Sequence, residues 1–360
     1  MQSSTYPDER VEKKWLTAIW QRIYSVCLFI RFSALGGTFL LPLLGAGSVP
    51  SAMPMNKWLG LLSIALVFHL FAYILNDVID LPLDRTEPRR ADFPLIKGTL
   101  TPRFALAAAL AQLPLAVGIV RWMQSNWLAY AALAIAFGGM AVYNLWGKRA
   151  RFPLLTDFAQ GISWASLALF GAASKADEPT SLTMYLCAYL VLLICLANGV
   201  HGSLRDLAND FQCGVRSMAI YLGAKPTADG GLHIPQGLRR YAFAFQYLLL
   251  IITLVPLIRN DFGYSPTEWL ITLAVIVLMG GLSLRLLDIA AGSAPHRQTL
   301  ISAGMLQLLV SLGLLIMLFA FYLPAWLLGL IIALFFLPLL THRWLYNMLR
   351  WIRQRWATWL

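Results

Sequence analysis

An all-α, polytopic membrane bundle is the fold class this chain calls for, and three observations lead there. Of its 360 residues, 59% are hydrophobic and only 12% are charged, with a mean hydropathy of +0.67; that charged fraction is about half the share in soluble domains. The apolar residues are gathered into ten runs that reach, or nearly reach, the length needed to cross ~30 Å of hydrocarbon. The Lys and Arg residues between those runs fall almost entirely on one side of the membrane.

The ten expected spans lie at about 25–46, 58–76, 103–120, 127–146, 154–173, 182–203, 239–258, 268–288, 299–321 and 324–341. Each is read as a helix, because only a helix satisfies its own backbone over such a length in lipid. With the N-terminus placed in the cytoplasm, only Lys57, Arg121, Lys175 and Arg259 of the 28 Lys and Arg lie outside. This is the positive-inside pattern, and it puts both termini and both long loops, 77–102 and 204–238, in the cytoplasm. The same distribution explains the net charge of +11 without nucleic acid as a partner. The polar first 24 residues and the length of the first apolar run lead us to expect no cleavable signal peptide. Cys27, Cys187, Cys195 and Cys213 form no CxxC pair and are read as packing residues.

Two acidic clusters stand out in this apolar chain. Asn76, Asp77, Asp80 and Asp84 follow the second run, and Asp206, Asn209 and Asp210 follow the sixth. As a continued helix, Asn76, Asp80 and Asp84 fall within about 80° of one another, with Asp77 widening the arc to about 100°. Pro82 is expected to bend the helix there. Asp206 and Asp210 form an i, i+4 pair on one face. Carboxylates at a membrane helix end require cationic partners, and these are more than one or two Arg can neutralise. A hard divalent ion such as Mg²⁺, shared with a phosphate, is the natural partner. The alternative is a set of carboxylates each paired with a nearby Arg.

Cations accompany both clusters: Arg89 and Arg90 after the first, Arg205 and Arg216 around the second, and Lys148 and Arg149 in the segment beginning at Tyr143. They are read either as phosphate ligands or as headgroup-facing positive-inside residues. Arg31 lies within the first run, where a charge needs a partner; a substrate diphosphate and snorkelling to the headgroups are the two readings. His69 reads as a packing histidine before it reads as a base, and Asp157 as a helix cap before a substrate-orienting group. The tail, with Trp344, Trp351, Trp356 and Trp359 among Arg343, Arg350, Arg353 and Arg355, suits a helix lying at the membrane surface. No P-loop, GxGxxG or HExxH motif is present.

The run Asn76 to Asp84 fits NDxxDxxxD, and Asp206 to Asp210 fits DxxxD; together they resemble the two motifs of the UbiA superfamily of intramembrane prenyltransferases. Pro94-Leu95-Ile96-Lys97-Gly98 resembles its RPLxxG segment, and Tyr143 to Lys148 its Tyr/Lys loop. The resemblance covers about 25–322, leaving 1–24 as an N-terminal cytoplasmic segment and 323–360 as an extra span and tail. It implies nine helices around a central cavity, with two Mg²⁺ ions binding the diphosphate of an isoprenoid. Residue by residue, it assigns Asn76, Asp80, Asp84, Asp206 and Asp210 to metal, with Asp77 in support. Asp80, Asp206 and Asp210 become the catalytic carboxylates, and Arg31, Arg89, Arg90, Tyr143, Lys148 and Arg216 diphosphate ligands. Two departures stand out: Phe93 replaces the Arg before Pro-Leu, so Arg89 or Arg90 must supply that charge, and a tenth span follows the nine. The implied activity is Mg²⁺-assisted ionisation of an isoprenyl diphosphate and transfer of the prenyl group to an acceptor left unknown. An aromatic ring, a quinone precursor, a lipid glycerol or a sugar phosphate would each serve. A terpene cyclase, which needs no acceptor, is the alternative enzyme, and a transporter retaining the fold is the alternative from another class.

Overall fold

The computed structural model describes residues 9–292 and 297–357. The expected residues 1–8 of the N-terminal segment and Trp359 of the tail lie outside them, as do the side chains of 9–17 and 349–357. The described chain is helical almost throughout. In order, α1 is Glu9–Phe29, α2 Leu35–Gly47, α3 Met55–Ile79, α4 Leu81–Asp84, α5 Pro102–Trp122, α6 Trp127–Trp146 and α7 Pro153–Ala173. Then follow α8 Ser181–Leu196, a π-helix Ala197–Gly202, α9 Ser203–Gln212, α10 Met218–Tyr221, α11 Gln236–Ile258, α12 Pro266–Ala290, α13 Arg297–Leu318 and α14 Ala325–Ala357. A small antiparallel hairpin, β1 Lys225–Pro226 with β2 Leu232–His233, lies between α10 and α11.

Local signals set the helix starts. Pro occupies the first turn of α5, α7 and α12, where its missing N–H is no loss. Thr101 and Asn126 cap α5 and α6 through their side chains, and Thr180 and Ser265 close capping boxes with Thr183 and Glu268.

Eight helical stretches, one of them α8 continued through the π-helix into α9, are long and apolar enough to cross a membrane among the described residues, or nine if one bent pair counts as a span. Two of the ten expected spans therefore differ from expectation. The first is broken: Ala18–Phe29 and Phe32–Gly47 meet at 53°. The fifth, α7, forms as a helix but falls short in apolar character, because Thr156, Asp157, Gln160, Ser163 and Ser166 on it are polar and buried. The tail also differs. It is no separate surface helix up to Ala357; α14 runs unbroken from the last span, with Trp344 edge-on to Trp20 and His342 stacked on Tyr24 of α1.

The helices alternate in direction, so the loops gather at two poles. One pole receives the break before α2, both acidic clusters, and the turns before α7 and α13. The other receives the turns after α2, α5, α7, α11 and α13. Two of the exceptional outside cations have a structural task there. Lys57 Nζ donates to the Ser174 carbonyl at 2.8 Å and Lys175 Nζ to that of Ala46 at 3.1 Å. Both satisfy carbonyls at helix C-terminal ends, where positive charge is favoured.

α7 packs on α6, α8 and α2, and α2 also on α3 and α14. The α2–α7 contact is a backbone contact made by glycine: a Cβ on Gly45 would lie 1.8 Å from the Ala168 carbonyl oxygen, and one on Gly171 2.0 Å from that of Pro42. Within lipid, helix association depends on such close packing, since the lipid is as apolar as leucine. Gly171→Ala is therefore expected to force α2 and α7 apart and to destabilise the protein by about 1–3 kcal/mol. Gly118→Ala, where nothing lies within 4 Å of the added carbon, is the matched control. Thermal unfolding in detergent reads the difference, and equal midpoints for the two variants would refute the contact.

Candidate active site

The first acidic cluster forms where α3 ends. Asp80 caps α3, and Pro82 in α4 coincides with the expected bend. The backbone keeps its i, i+4 bonding across it, with Asp84 N–H donating to the Asp80 carbonyl at 2.8 Å. Asn76 Nδ2 accordingly reaches Asp80 Oδ2 at 3.0 Å. The second cluster rides on α9, behind the π-helix. Ser203 Oγ donates back to the Asn198 carbonyl at 2.7 Å, holding the wide turn, and such π-turns occur mostly at functional sites.

The two clusters meet. Thr86 Oγ1 donates to Asn209 Oδ1 at 2.8 Å, and Arg89 Nη2 reaches both Asp206 Oδ1 and the Arg205 carbonyl at 3.2 Å. The Tyr143–Lys148 loop joins them: Lys148 Nζ lies 3.0 Å from Asp80 Oδ2, and its carbonyl accepts from the Arg216 N–H at 3.2 Å. Both acidic loops therefore occupy one pole, as expected.

Each carboxylate but one has a cationic side chain for a partner. Arg31 binds Asp77, and Arg90 binds Asp84 with Asp77 3.5 Å away. Lys148 takes Asp80, while Arg205 and Arg89 share Asp206. Asp210 is buried, and its carboxylate makes no ion pair or hydrogen bond among the described residues. Outside the spans, burial pushes Asp84 up to about 6, reinforced by Asp80 and Asp77 and opposed by Arg90 and Lys148. The hydrogen bond from Arg89 holds Glu87 below its usual value, and the same contact raises Arg89.

In the structure Arg31 is paired with Asp77. It sits at the α1–α2 break with φ 47° and ψ 47°, a left-handed conformation uncommon for a non-glycine residue. Its guanidinium lies 5.4 Å from the Tyr73 ring centre and 5.9 Å from that of Phe93, both within cation–π range. His69 supports the break. Its Nε2 lies 2.8 Å from the Ile30 carbonyl oxygen and its Nδ1 2.8 Å from Thr38 Oγ1, so it is a packing histidine with both nitrogens engaged. Phe93, standing where an Arg was expected, lies beneath Arg31 and Arg90 together; Arg90 supplies the charge beside the cluster. Gly98 closes that loop at φ 73°, a conformation suited to glycine.

Arg216 is exposed and, among the described residues, joins the cluster through its backbone. Tyr143 is half-buried in α6, within Coulombic range of Asp80, Asp206 and Asp157. Asp157 is no cap: it lies in the fifth position of α7, where Phe152 is the N-cap. The sequence reading missed Arg297, whose Nη2 donates to the Arg205 carbonyl at 2.8 Å; only its place in an inside loop signalled it. All four cysteines are free.

No three His, Cys, Asp or Glu side chains among the described residues stand close enough to hold one metal ion; the carboxylates are arranged as separate ion pairs. The donor set is nevertheless that of a hard divalent cation, all oxygen, and the Asp210 carboxylate is buried with no counter-charge bonded to it. A pocket beside this cluster is lined by Asp77 and Asp84 together with Phe29, Leu81, Phe93 and Leu95, placing apolar walls next to the charge.

The profile described as the UbiA prenyltransferase family matches residues 32–301. The chain is 26% identical over 227 residues to the mitochondrial 4-hydroxybenzoate polyprenyltransferase of Saccharomyces cerevisiae, a match covering 60% of this chain and 57% of that enzyme. It is 25% identical over 179 residues to a lycopene elongase/hydratase of Corynebacterium glutamicum, covering 47% of this chain and 58% of that one. The chain thus spans under two thirds of the length of either relative. Its fold is similar to a UbiA homolog from Aeropyrum pernix K1, with TM-score 0.60, 19% identity, and coverage of 80% of this chain and 98% of that one. It is also similar to a UbiA homolog from Archaeoglobus fulgidus bound to DMAPP and Mg²⁺, with TM-score 0.54, 13% identity and coverage of 80% and 98%. At such identities the likeness is one of fold.

The meeting of the two clusters can be tested by cross-linking. Thr86 Oγ1 lies 3.5 Å from Cys213 Sγ, so Thr86→Cys should form a disulfide with Cys213 under mild oxidation. The product is read by loss of maleimide labelling and by fragments that stay joined after cleavage between the two positions. Free labelling of both thiols after oxidation would separate the two loops.

Proposed function

Because the chain belongs to the UbiA prenyltransferase family, we propose that it is an integral membrane prenyltransferase acting on an isoprenyl diphosphate at the pole where its two acidic clusters meet. One observation carries the reading: carboxylates of the first cluster and of α9 converge at one pole with Arg31, Arg89, Arg90, Lys148 and Arg205 as their partners. Relatives solved with DMAPP or GPP and Mg²⁺ support the choice of substrate class.

Asn76, Asp80, Asp84, Asp206 and Asp210 would hold Mg²⁺, with Asp77 beside them. When bound, the metal supplies Lewis-acid neutralisation of the leaving diphosphate. The chain's own cations then have two roles. Without substrate, they neutralise the carboxylates. With substrate, Arg31, Arg90 and Lys148 are in reach of diphosphate oxygens and stabilise the charge that builds on them as the allylic C–O bond breaks. Tyr143, next to the cluster, orients the diphosphate end. The apolar walls formed by Phe29, Leu81, Phe93 and Leu95 exclude water from the cation that results. The distribution of basic residues supports a cytoplasmic side for this pole and both termini. The family core is proposed at 25–322, with 323–360 as an added span and tail.

Asp80→Ala and Asp206→Ala should each lower turnover of a prenyl diphosphate by several orders of magnitude while the protein remains folded. EDTA should abolish activity and Mg²⁺ restore it. Purified protein, assayed for diphosphate release with geranyl, farnesyl and geranylgeranyl diphosphates, checks both. Full activity in EDTA would sink the metal-assisted reading, and cyclic hydrocarbons formed without an acceptor would replace transfer by cyclisation.

A further inference from the structure

One face of α7 carries polar groups that the diphosphate site does not use. Asp157, Gln160 and Trp164 lie within about 60° of one another on the helix surface. Asp157 is 7% exposed, and its carboxylate has no hydrogen bond or ion pair among the described residues. Two turns deeper, the Trp164 indole N–H is also buried and unbonded. Between them, Gln160 is fixed by accepting from Asn198 on the π-helix. Asp157 lies within Coulombic range of the Tyr143 and Tyr241 hydroxyls. Tyr241 is itself positioned with care: it donates to the Cys195 carbonyl at 3.3 Å, and a Cβ on Gly199 would come within 2.7 Å of its hydroxyl.

A buried carboxylate with no partner is costly in a membrane bundle and marks a function. It repels a diphosphate. Standing alone, it lacks the companion ligands a metal requires. What it can bind is a group that donates a hydrogen bond or a proton. Tyr143 ties that group electrostatically to the diphosphate site, being within Coulombic range of Asp80 and Asp206 as well as Asp157.

We propose that Asp157, with Tyr143 and Tyr241, forms the acceptor subsite, and that it takes a neutral, hydroxyl-bearing acceptor and receives its proton. The inference rests on the prenyltransferase reading above. In the step it describes, the allylic C–O bond breaks with its electron pair leaving on diphosphate. The acceptor's electron pair closes on the allylic carbon, and its hydroxyl proton passes to the Asp157 carboxylate. An acceptor bearing a carboxylate is disfavoured, because Lys148 and Arg205 already serve Asp80 and Asp206.

The test compares hydroquinone with 4-hydroxybenzoate, using geranylgeranyl diphosphate and Mg²⁺ with the full chain. The wild type should prenylate hydroquinone with kcat/KM at least tenfold above that for 4-hydroxybenzoate. Asp157→Asn, which keeps the shape, should raise the hydroquinone KM about tenfold and lower kcat about 100-fold, the usual scale for a lost proton acceptor. The KM for geranylgeranyl diphosphate should stay within twofold, and Asp157→Glu should recover part of the rate. Calorimetric binding of hydroquinone without donor or Mg²⁺ should weaken about tenfold in Asp157→Asn. Unchanged hydroquinone kinetics and binding in that variant would overturn the proposal, as would an equal rise in the donor KM, a preference for 4-hydroxybenzoate, or no transfer to hydroquinone while donor is bound. A wild type that binds no geranylgeranyl diphosphate would overturn the prenyltransferase reading itself, and this inference with it.

Discussion

Like charges crowded at one end of a membrane bundle impose the constraint on which this structure turns. Asp77, Asp80, Asp84 and Asp210 are all buried at that pole, where the dielectric is low and mutual repulsion is large. An unpaired charge there is costly. The chain answers with opposite charge drawn from four separate segments. Arg31 comes from the α1–α2 break, Arg89 and Arg90 from the loop after α4, Lys148 from the loop after α6, and Arg205 from α9. Removing Lys148, which alone pairs with Asp80 among the described residues, would leave a buried carboxylate uncompensated, which is more expensive than the pair is favourable.

This constraint accounts for features that look irregular in isolation. The break in the first span lets Arg31 turn toward Asp77 rather than toward lipid, and His69 holds the carbonyl that the break exposes. The π-helix re-aims α9 relative to α8, so Asp206 meets Arg89. Pro82 breaks α3 where Asp80 must cap it. Each departure from a straight helix serves a charge.

The scaffold that makes this affordable lies in the other half of the bundle. α7 carries both tasks along its length. Its first turns are polar and approach the charged pole, while its last turns hold Gly171 against α2. Lys57 and Lys175 lock the far ends of α7 and α2 by binding their terminal carbonyls.

The sequence by itself determined the class of fold and which acidic residues share a helix face. Apolar runs of membrane length leave the backbone little choice but helix, and acidic residues on one helical face remain together whatever surrounds the helix. That is why Asn76 and Asp80, or Asp206 and Asp210, were legible from spacing alone. The partner of each charge was not. Arg31 and Asp77 are 46 positions apart, and Arg89 and Asp206 117; such pairs depend on how helices dock, which no local pattern encodes. The kink at Arg31, the π-turns before α9 and the shortfall of α7 in apolar character were hidden for the same reason: a neighbouring helix can satisfy a buried polar group or a freed carbonyl that would otherwise forbid the geometry. Asp157 illustrates the limit best. Its position near a helix start suggested a cap, and only packing shows it inside α7, buried and with no hydrogen bond or ion pair among the described residues.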